Sequence, residues 1–84
     1  MMISLRFTKH AEHMLARREI DRAWVALTVE RPQQREEPGD GTVHYHRVIP
    51  ERGGRTLRVI VNPETDPPIV VTTFFDRRLK GREP

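Results

Sequence analysis

The chain has 84 residues, of which 36% are hydrophobic and 32% are charged, and it contains no cysteine. This length allows one domain with a thin core, and the lack of cysteine excludes disulfide bonds and thiolate metal sites. No apolar run is long enough to span a bilayer and the start of the chain is too short for a signal segment, so we expect a soluble cytoplasmic protein without a membrane partner.

The charge points to an anionic partner. The formal net charge is +3, and 13 of the 15 cationic residues are arginine. The planar guanidinium binds phosphate and carboxylate through two parallel hydrogen bonds, which the lysine ammonium cannot do. RNA, DNA and an acidic protein are the partners that this preference for arginine leaves open, and a GC-rich genome is an alternative origin of the arginine content.

The chain begins with a predicted strand and two predicted helices. Apolar and polar residues alternate over residues 3–7, which is typical of a half-buried strand. Thr8 can cap a helix that continues to Arg18, and Asp21 can cap a second one. Pro32 ends the second helix because a proline disfavours helical geometry at the preceding residue.

The rest of the chain is predicted to form strands joined by turns rich in glycine and proline, with strands at 34–37, 42–49, 55–61 and 69–75. This order indicates an α+β domain in which two N-terminal helices pack on a curved antiparallel sheet of three to five strands. The domain is assigned to residues 1–76, and residues 77–84 are interpreted as a basic tail with little to bury.

The four histidines form two spaced pairs. His10 and His13 are three residues apart on the first helix, and His44 and His46 share one face of a strand. Two facing pairs could hold a transition metal, as in a zinc-dependent hydrolase. Because neither cysteine nor a clearly placed carboxylate completes such a site, no metal and no cofactor is predicted.

A second reading of the histidines and arginines is RNA cleavage without metal. The ribose 2′-hydroxyl can attack its own phosphate if a base removes its proton, an acid protonates the leaving oxygen and cations stabilise the charged intermediate. Histidine can both accept and donate a proton near neutral pH, and arginine supplies a fixed positive charge. The side chains that could supply these groups are His10, Arg17, His46, Arg47 and Arg58, with Thr72 or Thr73.

The basic residues expected to contact nucleic acid are Lys9, Arg17, Arg47, Arg77, Arg78 and Lys80. The alternative to an enzyme is a non-catalytic module that holds a protein or nucleic acid through the tail residues Arg77, Arg78, Lys80 and Arg82. Deletion of the tail separates the two hypotheses, because it should abolish binding in the module and leave turnover largely intact in the enzyme.

The opening stretch FTKHAEHMLARREID resembles a family of small bacterial domains of unknown function that is grouped with RelE-like and BrnT-like toxins. The residues that carry the resemblance are Phe7, Thr8, His10, Ala11, Arg18 and Ile20, together with the run from Arg58 to Val61 and the threonine pair near the end. The resemblance covers nearly all of the chain. The family has glycine after the position of Arg18, where this chain has Glu19.

The resemblance implies a RelE-like fold and an endoribonuclease toxin, acting on free or ribosome-bound RNA and neutralised by a cognate antitoxin. It matches His10, Arg58 and Thr73 to family positions. The resulting hypothesis is a metal-independent endoribonuclease with His10 or His46 as acid and base, Arg58 and Arg47 holding the phosphate, and Thr73 orienting one of them. It requires His10 and Arg58 to share a concave surface. A homodimer is left open.

Overall fold

The secondary structure follows the order β-α-α-β-β-β-β. A computed structural model describes the backbone of residues 4–80 and the side chains of residues 4–77. Within these limits the elements are β1 (Arg6–Phe7), α1 (Lys9–Arg18), α2 (Arg22–Glu30), β2 (Gln34–Glu36), β3 (Val43–Ile49), β4 (Arg55–Asn62) and β5 (Ile69–Lys80), with a 3₁₀ turn at Pro50–Arg52. No helix among the described residues has the length and apolar character needed to cross a membrane.

Both helices begin at the capping residues that the sequence predicts. The Thr8 hydroxyl accepts a hydrogen bond from the Ala11 amide at 3.0 Å, and the Asp21 carboxylate accepts one from the Ala23 amide at 2.8 Å. Each bond satisfies a backbone donor that has no partner inside the helix. Between the helices Glu19 has a φ of 55°, in the left-handed region that glycine adopts most easily. The turn thus forms with glutamate at a position that favours glycine.

The prediction of an antiparallel sheet is wrong for one pair of strands. The five strands lie in the order β1-β5-β4-β3-β2, and β1 pairs with β5 in parallel, whereas the other pairs are antiparallel. The sheet is therefore mixed, and the helices lie between β1 and β2 along the chain. The expectation of N-terminal helices on a purely antiparallel RelE-like sheet is corrected accordingly. Alternation of residue types predicts that a segment is a strand, but it carries no information about its partner or direction.

The helices cover one face of the sheet. The core is formed by alternate strand residues on this face with apolar residues of the helices, namely Ala11, Leu15, Ile20, Val25, Val29, Ile49, Leu57, Val59, Val61 and Val70. Trp24 and Tyr45 are partly buried and pack against this core. The intervening residues of β3, β4 and β5 point to the other side, which we call the helix-free face. It carries His44, His46, Arg58, Ile60, Thr72, Phe74 and Asp76.

The last strand is longer than the predicted segment 69–75. β5 continues to Lys80, and Arg55 of β4 pairs with Lys80. The polar run after Phe75 has the composition of a solvated tail, but ladder hydrogen bonds use the backbone and do not depend on side-chain polarity. The predicted binding side chains of Arg78 and Lys80 lie outside the described residues, as does Arg82.

Candidate functional site

A buried ion pair lies on the helix-free face. Arg58 Nε and Nη2 donate to Asp76 Oδ2 at 2.9 and 2.8 Å, and the two residues are 8% and 5% exposed. Arg58 Nη1 lies 2.7 Å from His44 Nδ1. A guanidinium can only donate, so His44 Nδ1 accepts and the proton of the neutral ring is on Nε2. The pair fixes both the position and the tautomer of His44.

His46 lies beside this pair but is sealed from solvent. It is 2% exposed, and neither ring nitrogen has a hydrogen-bond partner among the described residues. Burial, and then the positive charge of Arg58, lower the pKa of His46, while Glu36 at 4.0 Å from Nε2 opposes this in part. The imidazole is therefore held neutral without contact to water, a poor position for exchanging protons with a substrate.

Thr73 is fully buried on the helix side of β5. Its hydroxyl donates to the backbone carbonyl of Arg58 at 2.9 Å and so ties β5 to β4. Of the four side chains predicted to be catalytic, three are thus buried: His46, Arg58 and Thr73. In this structure all three side chains therefore contribute to the packing of the sheet.

His10 is the exposed member of the predicted set. Its Nε2 lies 3.1 Å from the Thr72 hydroxyl. The helix is fixed here because the Thr8 hydroxyl donates to the Val71 carbonyl at 2.9 Å and the Thr8 amide to the Val70 carbonyl at 3.1 Å. Among the described residues no hydrogen bond joins His10 to Arg58. His10 is thus held at β5 with a solvent-accessible ring.

A groove lies between the C-terminal half of α1 and β5. Its volume is about 550 Å³, and we call it the arginine groove. Its lining is Met14, Arg17, Arg18, Glu19, Arg52, Arg55, Phe74, Phe75 and Arg77. Five arginines against one glutamate make it strongly cationic, and two phenylalanine rings offer an apolar surface. Arg17 and Arg77, both predicted from sequence, meet here.

One arginine of the groove, Arg52, has a structural role. Arg52 donates to the carbonyls of Glu19 at 3.1 Å and Arg18 at 3.4 Å, and its guanidinium lies 5.2 Å from the centre of the Phe75 ring. These carbonyls end α1, where a cation is favourable. Arg52 therefore builds the wall of the groove. The side chains of the other four arginines make no hydrogen bond or ion pair among the described residues.

Two predicted binding residues lie elsewhere. Arg47 donates to the Arg31 carbonyl at 2.7 Å and so caps the end of α2. Lys9 is exposed in the first turn of α1 and does not line the groove. Sequence reasoning missed Arg18, Arg52 and Arg55 and the two phenylalanines, because the groove joins segments that are far apart in the chain. His44 was named in a histidine pair, but its contact with Arg58 needed the strand register.

On the helix-free face, the acidic and histidine side chains that the structure describes are not arranged as a metal site. Among the described residues no group of three or more histidine, cysteine, aspartate or glutamate side chains is placed to hold a metal ion. The guanidinium of Arg58 contacts both His44 and Asp76, so a fixed cation already occupies the position between them.

The comparison with known proteins places the chain at the level of a family. No curated protein and no solved structure matches the chain. The model of one family, described as a domain of unknown function (DUF4258), matches residues 7–75. This range runs from Phe7 in β1 to Phe75 in β5 and includes both helices. The chain therefore belongs to the DUF4258 family of domains of unknown function.

Proposed function

We propose that this protein binds single-stranded RNA along the arginine groove. The observation that carries the proposal is the convergence of five arginines and two phenylalanine rings in one groove. Guanidinium groups bind phosphates, and an aromatic ring can stack on a base only if that base is not paired. The chemistry of the lining thus favours a flexible single strand over a rigid duplex.

The four exposed arginines supply the binding charge. Arg17, Arg18, Arg55 and Arg77 are exposed and not neutralised by a partner among the described residues. Neutralising phosphates with such residues releases counterions, so the affinity should fall steeply with salt. An acidic protein would also be attracted by this charge but would gain less from the half-buried ring of Phe74, on which a base can stack.

The test uses two double variants with the same change in net charge. Arg55→Gln with Arg77→Gln alters the groove, whereas Arg31→Gln with Arg35→Gln alters exposed arginines outside it. Binding of a labelled single-stranded oligoribonucleotide is followed by fluorescence anisotropy at several salt concentrations. The groove variant should lose about tenfold in affinity, and its salt slope should fall by about 1.4, or 0.7 for each lost phosphate contact.

The control variant should keep an affinity close to that of the unchanged protein. Equal losses in the two variants would show that only net charge matters and would overturn the proposed site. Single-stranded DNA and an acidic peptide are titrated in parallel. A peptide that binds more tightly than the RNA would replace RNA by a protein partner.

A second candidate function is metal-independent RNA cleavage by a toxin that an antitoxin protein neutralises. The observation that favours it is the exposed imidazole of His10, four residues before Met14 and seven before Arg17 on the groove side of α1. His10 would take the proton of the 2′-hydroxyl, whose oxygen attacks the phosphorus. The bond from phosphorus to the 5′-oxygen breaks, and that oxygen receives the proton, leaving a 2′,3′-cyclic phosphate and a 5′-hydroxyl.

Cleavage is tested with RNA in the presence of a chelator, and its products by their end groups. His10→Ala should lower the rate by about 10²-fold or more, whereas His13→Ala, an exposed histidine on the same helix, should keep it. Induction in cells should stop growth, and the product of a neighbouring short reading frame should restore it. Binding without cleavage by the unchanged protein would remove this candidate and leave the binding function standing.

A further inference from the structure

Three residues form one row across the helix-free face. His44 of β3 pairs with Ile60 of β4, and Ile60 pairs with Thr72 of β5. Directly paired residues of neighbouring strands point to the same side, so the three side chains stand next to one another. His10 extends the row, because its Nε2 lies 3.1 Å from the Thr72 hydroxyl. Imidazoles therefore stand at both ends of the row, with Ile60 and Thr72 between them.

The spacing suits a small anionic group. Neighbouring strands are about 4.8 Å apart, so the backbones of His44 and Thr72, two strands apart, are separated by about 10 Å. The side chains at the two ends of this interval, those of His44 and Thr72, carry polar atoms. Between them Ile60 provides a half-buried apolar floor. The interval can take one group that accepts hydrogen bonds from both sides.

His44 keeps one ring nitrogen available as a donor. Arg58 occupies its Nδ1, so the proton of the neutral ring is on Nε2, and Nε2 has no partner among the described residues. Asp76 holds the guanidinium of Arg58 in place from the other side. His46, two residues further along the same strand face, is buried and cannot play this part.

We propose that His10, Thr72 and His44 form a subsite for one phosphodiester group of the bound RNA, with the Nε2–H of His44 as a donor to a phosphate oxygen. The subsite rests on the proposed RNA-binding function, and it extends the contact from the arginine groove onto the helix-free face. Phe74 connects the two regions, because it lines the groove and pairs with Arg58 on the next strand.

The first test uses the unchanged protein, so that it does not depend on the folding of a variant. Protein with ¹⁵N-labelled histidine is titrated with a 2′-O-methyl uridine dinucleotide, which carries one phosphodiester and no attacking hydroxyl. The ring resonances of His10 and His44 should shift and saturate together. Those of His46, which is buried, and His13, which lies outside the row, should stay in place. Saturable binding that leaves the ring of His44 unshifted would overturn the subsite.

The second test asks whether the donor matters. His44→Leu should weaken dinucleotide binding about tenfold, the loss expected for one hydrogen bond to a charged group. His44→Gln keeps an N–H donor and should recover most of the affinity. Equal affinities of the leucine variant and the unchanged protein would contradict the proposal.

The two proposals fail in different ways. If long RNA binds through the groove arginines but the dinucleotide does not reach His44, the subsite is wrong and the binding function stands. If the unchanged protein binds neither long RNA nor the dinucleotide, the binding function itself is wrong. If the dinucleotide shifts the rings of His10 and His44 but the groove double variant still binds long RNA fully, the subsite stands and the groove is wrong.

Discussion

Arginine has opposite roles in two regions of this small domain. On the helix-free face Arg58 is buried, and its guanidinium is in contact with Asp76 and His44. In the arginine groove Arg17 and Arg77 are exposed, and their charge is not neutralised by a partner among the described residues. A buried cation must be paired to be tolerated, whereas an exposed unpaired one remains available to a ligand. Burial and pairing, not residue type, distinguish the arginines that stabilise the fold from those of the proposed binding surface.

The strongest test of this comparison breaks the buried pair. Arg58→Met deprives the buried carboxylate of Asp76 of its guanidinium and should lower the free energy of unfolding by about 3–5 kcal/mol. The double variant Arg58→Met with Asp76→Leu should lose much less, because no buried charge is left behind. Both values come from urea unfolding followed by circular dichroism. A single variant as stable as the unchanged protein would assign Arg58 to the binding surface instead.

The next test concerns His46, the buried histidine without hydrogen bonds. Burial and the nearby Arg58 keep its pKa below the usual 6.5. Between the folded-state pKa and pH 6.5 the unfolded chain therefore binds more protons at His46 than the folded chain does, so the free energy of unfolding falls as the pH falls through this window. His46→Leu should remove this pH dependence, so the free energy of unfolding of the variant should fall less as the pH is lowered below 6.5.

At neutral pH the same replacement should leave stability unchanged or raise it by up to about 2 kcal/mol, because it removes two buried nitrogens that have no partner. The measurement is the free energy of unfolding of both proteins at several pH values. His13→Leu serves as the control on an exposed histidine. A loss of several kcal/mol at neutral pH in His46→Leu would show that the ring makes a polar contact important for the fold.

The smallest expected effect belongs to Glu19, the acidic residue of the groove lining. Glu19→Gly should stabilise the protein by about 0.5–1 kcal/mol, because glycine adopts the left-handed backbone at this turn without strain. It should also tighten RNA binding by a few fold, since the groove loses its negative charge. Glu19→Gln separates the two causes, because it removes the charge but keeps a side chain at positive φ. A glycine variant that is less stable would contradict the strain argument.

Local features of the fold could be predicted from the sequence. Thr8 and Asp21 were identified as helix caps, Pro32 as the end of the second helix, and the alternating runs as strands. These features depend on neighbours within a few residues, which the sequence shows directly. The position of His10 and Arg17 along one side of α1 also follows from the helical period.

Strand pairing and side-chain burial were decided by the tertiary structure alone. The parallel contact between β1 and β5, the ladder that continues β5 to Lys80 and the row from His44 to Thr72 depend on strand partners that are distant in the chain. Burial likewise depends on which surfaces meet, so no local pattern could separate the sealed His46 from the half-buried His44 two residues away. The residue types were visible from the beginning, but solvent access and long-range contacts determine which of them can meet a ligand.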